Sequence, residues 1–145
     1  MAKEILTTDN IELNAAFTTK EDAIRHTGNI LVKNGYAEES YVEKMIEREE
    51  LTSTFMGNYV AIPHGTEDAK EAVIASGLTI VTVPEGVDFG EGNIVKVLIG
   101  IAGKGDEHLD ILSKIAIVCS EEENIQKILD AASKENIIRL FDEVN

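Results

Sequence analysis

Two stretches, Val73–Val83 (VIASGLTIVTV) and Ile94–Ala102 (IVKVLIGIA), decide the fold class of this chain. Both are nearly continuous in β-branched and aliphatic residues, the composition of buried central strands. Pro84-Glu85-Gly86 follows the first run and reads as the turn that ends it. Upstream, Phe55 to Ile62 reads as short strands broken at Gly57-Asn58, and Glu12 to Phe17 as a short edge strand.

Helical periods flank these runs. Thr18 precedes Glu21 by three positions, a capping box opening a helix that ends near Gly35, with Ala23, Ile24, Thr27, Ile30 and Leu31 as its apolar stripe. Ser40 with Glu43 repeats the signal for a second helix to about Glu50, burying Tyr41, Val42, Met45 and Ile46. The short connection between them predicts an antiparallel or angled pair. From Asp106 the helical period returns, with Leu109, Leu112, Ile115 and Cys119 on one line. Glu121 to Val144 reads as one or two further helices, broken near Ser133. The expectation is an α/β fold: a layered mixed β-sheet of about five strands flanked by helices on both faces.

The bulk numbers narrow the function. A length of 145 residues with no internal repeat or Pro/Ser-rich linker suits a single domain over 1–145. Hydrophobic residues at 43% and charged residues at 28% place it among soluble globular proteins. Thirteen basic against 27 acidic residues give a net charge of −14, which repels a phosphate backbone and argues against nucleic acid. The same charge favours a partner with a basic surface. No stretch approaches the roughly 20 apolar residues of a membrane span. The start, MAKEILTTDNIEL, lacks the pattern of a signal peptide, so no membrane insertion is expected. The single cysteine, Cys119, fits a reducing compartment, and a cytoplasmic protein is the simplest expectation.

Three histidines occur, and helical phase separates them. His26 falls about 100° from the centre of the first helix's stripe and reads as a surface residue. His108, counted from Asp106 as N-cap, aligns with Leu112, Ile115 and Cys119 in the first turn of its helix. Free backbone N–H groups gather there and disfavour a charged ring. It is either a neutral donor to a bound anion or a core histidine satisfied by a carbonyl. Arg48 lies about 90° from the centre of the second stripe, in the last turn. It reads either as a solvated dipole-capping arginine or as a fork for an anion.

His64 stands in Val60–Thr66, VAIPHGT. Pro63 extends Ile62 and fixes its own φ, and Gly65 leaves a bare backbone beside the imidazole. A neutral imidazole, with an ordinary pKa of about 6.5, is a competent nucleophile. A turn histidine of no consequence fits the spacing equally well. No HxxxH or CxxC spacing supports a metal, and no GxSxG elbow supports a serine hydrolase.

Ile46-Glu47-Arg48-Glu49, then Ser53-Thr54-Phe55-Met56-Gly57, VAIPHGT and Gly105-Asp106-Glu107-His108-Leu109 together carry a family resemblance. Over essentially the whole chain the sequence resembles the mannitol/fructose IIA family of the bacterial phosphoenolpyruvate-dependent sugar phosphotransferase system, its mannitol-specific members in particular. That resemblance implies a free-standing phosphoryl carrier without cofactor or metal. It would take a phosphoryl group from HPr and pass it to a cysteine of the IIB component, which serves the membrane IIC permease. It further implies that His64 is the phosphorylated nucleophile and that His108 and Arg48 stabilise the phosphoryl group. Fructose-type members and regulatory phosphoproteins share the motif and are the alternatives. Some mannitol-type relatives carry an acid where Asn58 stands here. Cys119, on an inner helix line, reads as core rather than as a phosphocysteine.

Overall fold

The computed structural model describes residues 4–141. In chain order they form β1 (Ile11–Glu12), α1 (Lys20–Lys33), α2 (Ser40–Leu51), β2 (Phe55–Gly57), β3 (Val60–Ala61), β4 (Gly77–Asp88) and β5 (Ile94–Ala102). α3 (Glu107–Cys119), α4 (Glu122–Leu129) and α5 (Lys134–Leu140) follow. The strands make one mixed sheet of five in the order β1-β4-β5-β3-β2. β4 and β5 pair antiparallel at its centre, with Leu78 opposite Ile101 and Ile80 opposite Ile99. β1 lies parallel to β4, and β3 parallel to β5.

Side chains alternate across a strand, and here both faces are covered. Leu78, Ile80, Val97, Ile99 and Ile101 pack with Ile111, Ile115, Ile125 and Ile128 of α3 and α4. Val81, Val83, Leu98 and Ala102 pack with Ala23, Ile24, Leu31 and Met45 of α1 and α2. Each fully buried aliphatic side chain contributes about 1.5–3 kcal/mol. Two cores against one sheet explain why the central runs are apolar at nearly every position. The expected α/β layering, with helices on both faces, is the architecture found.

The punctuation differs in several places. Pro84-Glu85-Gly86 does not end β4; the register shifts between Thr82 and Val87, and the strand resumes with Val87 opposite Val95. The bulge tolerates a proline that cannot donate to the ladder, and Gly86 takes φ +81° within it. β4 also starts at Gly77 rather than Val73, because Ile74 and Ala75 N–H groups both donate to the Tyr36 carbonyl. The edge strand is Ile11–Glu12, not Glu12 to Phe17; Asn14 turns at φ +61° and its N–H donates to Thr82 Oγ1.

Helix caps shift by a residue. Thr19, not Thr18, caps α1 by accepting from the Asp22 N–H. α2 has no side-chain cap: Tyr41 N–H donates to the Glu38 carbonyl, so the turn before Ser40 already starts the helix. On α1, Ile30 is only half-buried, whereas Gly28 is buried against Met45 and Val42 of α2. On α3, Leu109 departs from the expected line and is 70% exposed. The break near Ser133 is as expected, with Ser133 capping α5 through the Asn136 N–H. Residues 142–144 of that expected segment lie outside the described residues. Among the described residues no helix is long and apolar enough to cross a membrane.

Candidate active site

β3 and β5 are parallel neighbours, so their carboxyl ends open on the same edge of the sheet. In open α/β sheets that edge is where ligands bind. His64 lies just beyond β3 and continues the pairing by a bridge to Ile101, whose N–H donates to the Pro63 carbonyl at 2.9 Å. His108 lies just beyond β5, in the first turn of α3. The rings meet with centroids 5.2 Å apart and planes at 58°. Arg48, from the last turn of α2, joins them in a cleft of about 800 Å3 together with Lys70.

The His64 ring is oriented by its own backbone. Nδ1 lies 2.7 Å from the Ile62 carbonyl oxygen. A carbonyl only accepts, so Nδ1 carries the proton and Nε2 keeps its lone pair when the ring is neutral. Burial holds His64 below its ordinary value of 6.5, and the positive charge of Arg48 adds to this; the Ile62 bond and Glu49 act the other way. His108 is lowered too, first by burial and then by the charges of His64 and Lys70. Both rings are therefore neutral at neutral pH, the state in which one can attack and the other can donate.

Tyr41 braces the loop. Its hydroxyl donates to the Ile101 carbonyl at 2.8 Å and accepts from the Gly65 N–H at 2.9 Å. A Cβ on Gly65 would lie 2.5 Å from Tyr41 Cε1, so a bare backbone is required for this approach. A second brace holds the start of α3. Ser76 Oγ donates to Glu107 Oε1 at 2.8 Å and accepts from the Lys104 N–H at 2.9 Å. Asp106 does occupy the N-cap position but makes no side-chain cap bond.

The charges are sorted unevenly. On the acid rim Asp68 pairs with Lys44 and also accepts from Thr66 Oγ1, and Lys44 reaches Glu47 as well. Arg48 and Lys70 make no ion pair among the described residues; Arg48 Nη1 donates to the Thr52 carbonyl at 2.6 Å. An acidic protein thus presents to one cleft two cations without ion pairs among the described residues and two neutral imidazoles, with Glu47, Glu67, Asp68 and Asp106 also in its lining. That arrangement suits a tetrahedral oxyanion such as a phosphoryl group.

The structure brings together all three residues singled out by the family resemblance and leaves the others aside. His26 pairs with Glu12 at 2.9 Å and packs against Phe17, away from the cleft. Cys119 is buried, and burial pushes its thiol up to about 12. Asn58 does not line the cleft; its Nδ2 donates to the Cys119 carbonyl at the end of α3. Among the described residues no group of three or more His, Cys, Asp or Glu side chains is arranged to hold a metal ion. Sequence reasoning missed Lys70, the Ser76–Glu107 brace and the buried Glu49. Glu49 was detectable, because it follows Met45 and Ile46 on the inner face of α2.

Residues 4–144 match the family described as phosphoenolpyruvate-dependent sugar phosphotransferase system, EIIA 2. The mannitol-specific phosphotransferase enzyme IIA component of Geobacillus stearothermophilus is 61% identical over 145 residues, spanning 100% of both chains. IIA mannitol from Escherichia coli, as a crystal structure, superposes with a TM-score of 0.87 at 38% identity, covering 94% of this chain and 98% of that one. The complex of Escherichia coli enzyme IIA mannitol with phosphorylated enzyme IIB mannitol, an NMR structure, gives a TM-score of 0.89 at 37% identity, with 95% and 97% covered. A cleft of two histidines and an arginine at the carboxyl ends of parallel strands, and a match running from one end of the chain to the other, have one reading: the chain belongs to the EIIA 2 family of the sugar phosphotransferase system.

Proposed function

We propose that this chain is a mannitol IIA component working as one cytoplasmic domain, and that it carries its phosphoryl group on Nε2 of His64. The observation that carries the reading is the bond from His64 Nδ1 to the Ile62 carbonyl, which reserves the other nitrogen for attack. The donor is the phosphohistidine of HPr and the acceptor is the cysteine of the IIB component, which serves the IIC permease. In each transfer one bond to phosphorus forms as the other breaks, in line, and charge spreads over the equatorial oxygens. Arg48 forks onto those oxygens and His108 donates to them, while the amino end of α3 adds its field. Leu51 and Leu109, 71% and 70% exposed beside the cleft, offer an apolar rim to partner proteins that must exclude water during transfer.

The test is intact mass after incubation with phosphoenolpyruvate, the first enzyme of the relay and HPr. An acid-labile gain of one phosphoryl group is expected in the wild type and its absence in His64→Ala. A gain that survives His64→Ala refutes the assignment. Arg48→Ala and His108→Ala should each slow transfer by roughly 100-fold while remaining folded. Adding the chain to membranes that lack their own IIA component, with a choice of mannitol or fructose, identifies the sugar by which phosphate accumulates.

A further inference from the structure

Glu49 is an anomaly in this site. Its side chain is 2% exposed, next in sequence to Arg48, and Oε2 has no hydrogen-bond donor. Among the described residues its one ion-pair partner is Lys20, 3.6 Å away and itself 40% exposed. Burying a carboxylate behind so thin a partnership costs stability, and an apolar side chain of similar volume would serve a core as well.

The other oxygen shows where that cost leads. Oε1 accepts from the Thr54 N–H at 2.9 Å and from Thr54 Oγ1 at 2.7 Å. The Thr54 carbonyl accepts from the Ile62 N–H at 3.1 Å, and the Ile62 carbonyl accepts from His64 Nδ1 at 2.7 Å. Hydrogen bonds at both backbone groups of Thr54 and of Ile62 therefore tie the buried anion, residue by residue, to the backbone that holds the ring nitrogen opposite the attacking one. These bonds fix the position of the backbone on which the ring rests, and the charge of Glu49 reaches His64 through space, favouring its protonated form.

We infer that Glu49 is a positioning residue for His64, holding the ring through Thr54 and Ile62 and stabilising the positive charge the ring gains on phosphorylation. The inference rests on the phosphoryl-carrier reading above. When the Nε2 lone pair forms the bond to phosphorus, Nδ1 keeps its proton and the ring becomes an N-phosphorylated imidazolium. The electron pair of the broken bond stays with the donor nitrogen, and no proton moves. A fixed negative charge behind the ring favours that state over the neutral ring. Arg48 opposes that effect on the ring, and with Lys70 it faces the phosphoryl oxygens, so Glu49 is the charge that favours the cationic ring. The charged and titratable groups that bear on His64 are Arg48 and Glu49 from α2 and His108 from α3.

Two variants separate this from a purely structural tie. Glu49→Gln keeps an acceptor for Thr54 and removes the charge. Lys20→Gln leaves the charge without its counterion. Imidazole NMR of His64 across a pH titration should show a lower midpoint in Glu49→Gln and a higher one in Lys20→Gln, with the Nδ1–H tautomer kept in both. Single-turnover transfer from phosphorylated HPr should be slowed roughly tenfold in Glu49→Gln. Midpoints that stay put, or that move the same way in both variants, overturn the inference, as does an unchanged transfer rate in Glu49→Gln. Should Glu49→Gln fail to fold, an unmoved midpoint in Lys20→Gln overturns it alone. A wild type that takes no phosphoryl group refutes the carrier reading, whereas the titration still decides the coupling of Glu49 to His64.

Discussion

Gly65→Ala isolates the fit between the histidine loop and α2. The added Cβ would lie 2.5 Å from Tyr41 Cε1, 3.0 Å from Cζ and 3.1 Å from Cδ1. Carbon atoms rest at about 3.5–4.0 Å, so the ring or the loop must give by roughly 1 Å. The ring has little freedom to do so. Tyr41 is 3% exposed, and its hydroxyl is held at both Ile101 and Gly65. Overpacking of this kind costs about 1–3 kcal/mol, and alanine recovers about 0.4–1 kcal/mol by restricting the unfolded chain. The net expectation is a loss of about 1–2 kcal/mol. Urea unfolding followed by circular dichroism reads this as a midpoint lower by roughly 0.5–1 M with an unchanged slope. In a Tyr41→Ala background the obstacle is gone, and Gly65→Ala should there stabilise by about 0.4–1 kcal/mol. A wild-type background that tolerates Gly65→Ala without loss, or an equal effect in both backgrounds, refutes the steric reasoning.

Three further outcomes follow from the same geometry. Burial holds His64 and His108 below their ordinary value of 6.5, so the unfolded chain binds more protons just beneath it. Stability should be full above that value and fall as pH drops through it toward the lower folded values; a thermal midpoint that stays flat across this window contradicts the burial argument. Ser76→Ala removes the acceptor of the Lys104 N–H and the donor to Glu107, and should cost about 1–2 kcal/mol. Phosphoryl transfer should slow with it, because the start of α3 carries His108; a destabilised variant with wild-type rate would show that the brace serves stability alone. Cys119, with its thiol pushed up to about 12, should resist a thiol-specific disulfide reagent in the native protein at mildly alkaline pH and react on unfolding.

The parts legible in the sequence were those set by period and by local chemistry. The central strands announced themselves because two cores press on one sheet, leaving almost no position polar. The buried faces of α1 and α2 were legible from a 3.6-residue repeat, and His108 stayed in phase with Ile115 and Cys119. Local signals failed where a tertiary contact outbid them. Pro84-Glu85-Gly86 has the chemistry of a turn, yet the strand resumes beyond it because Val87 and Asp88 find partners on β5. Leu109 shares only the three- and four-residue spacing of its line; at about 100° per residue it lies roughly 120° from Ile115, whereas α3 buries Ile111, Ile115 and Cys119 and leaves Leu109 at the cleft mouth. Thr18 and Thr19 are equally good caps by residue type, and the capping box favours Thr18 with Glu21, yet the structure uses Thr19 and the Asp22 N–H.

By itself the sequence determined that this is an α/β protein, which faces of its first helices are buried, and which imidazole stands between a proline and a glycine. Those properties depend on neighbours within a few residues, and they survive translation into period and propensity. Only the tertiary structure decided the strand order, and with it that β3 and β5 run parallel and side by side. That pairing carries two histidines, 44 positions apart in the chain, to rings 5.2 Å apart. It likewise decided which nitrogen of His64 is free, through a carbonyl only a folded turn can aim. The buried charge of Glu49 depends on partners at positions 20 and 54, drawn from opposite sides of it in the chain. Contacts between residues distant in sequence leave no periodic trace, so the chemistry of this cleft becomes visible only once the sheet is assembled.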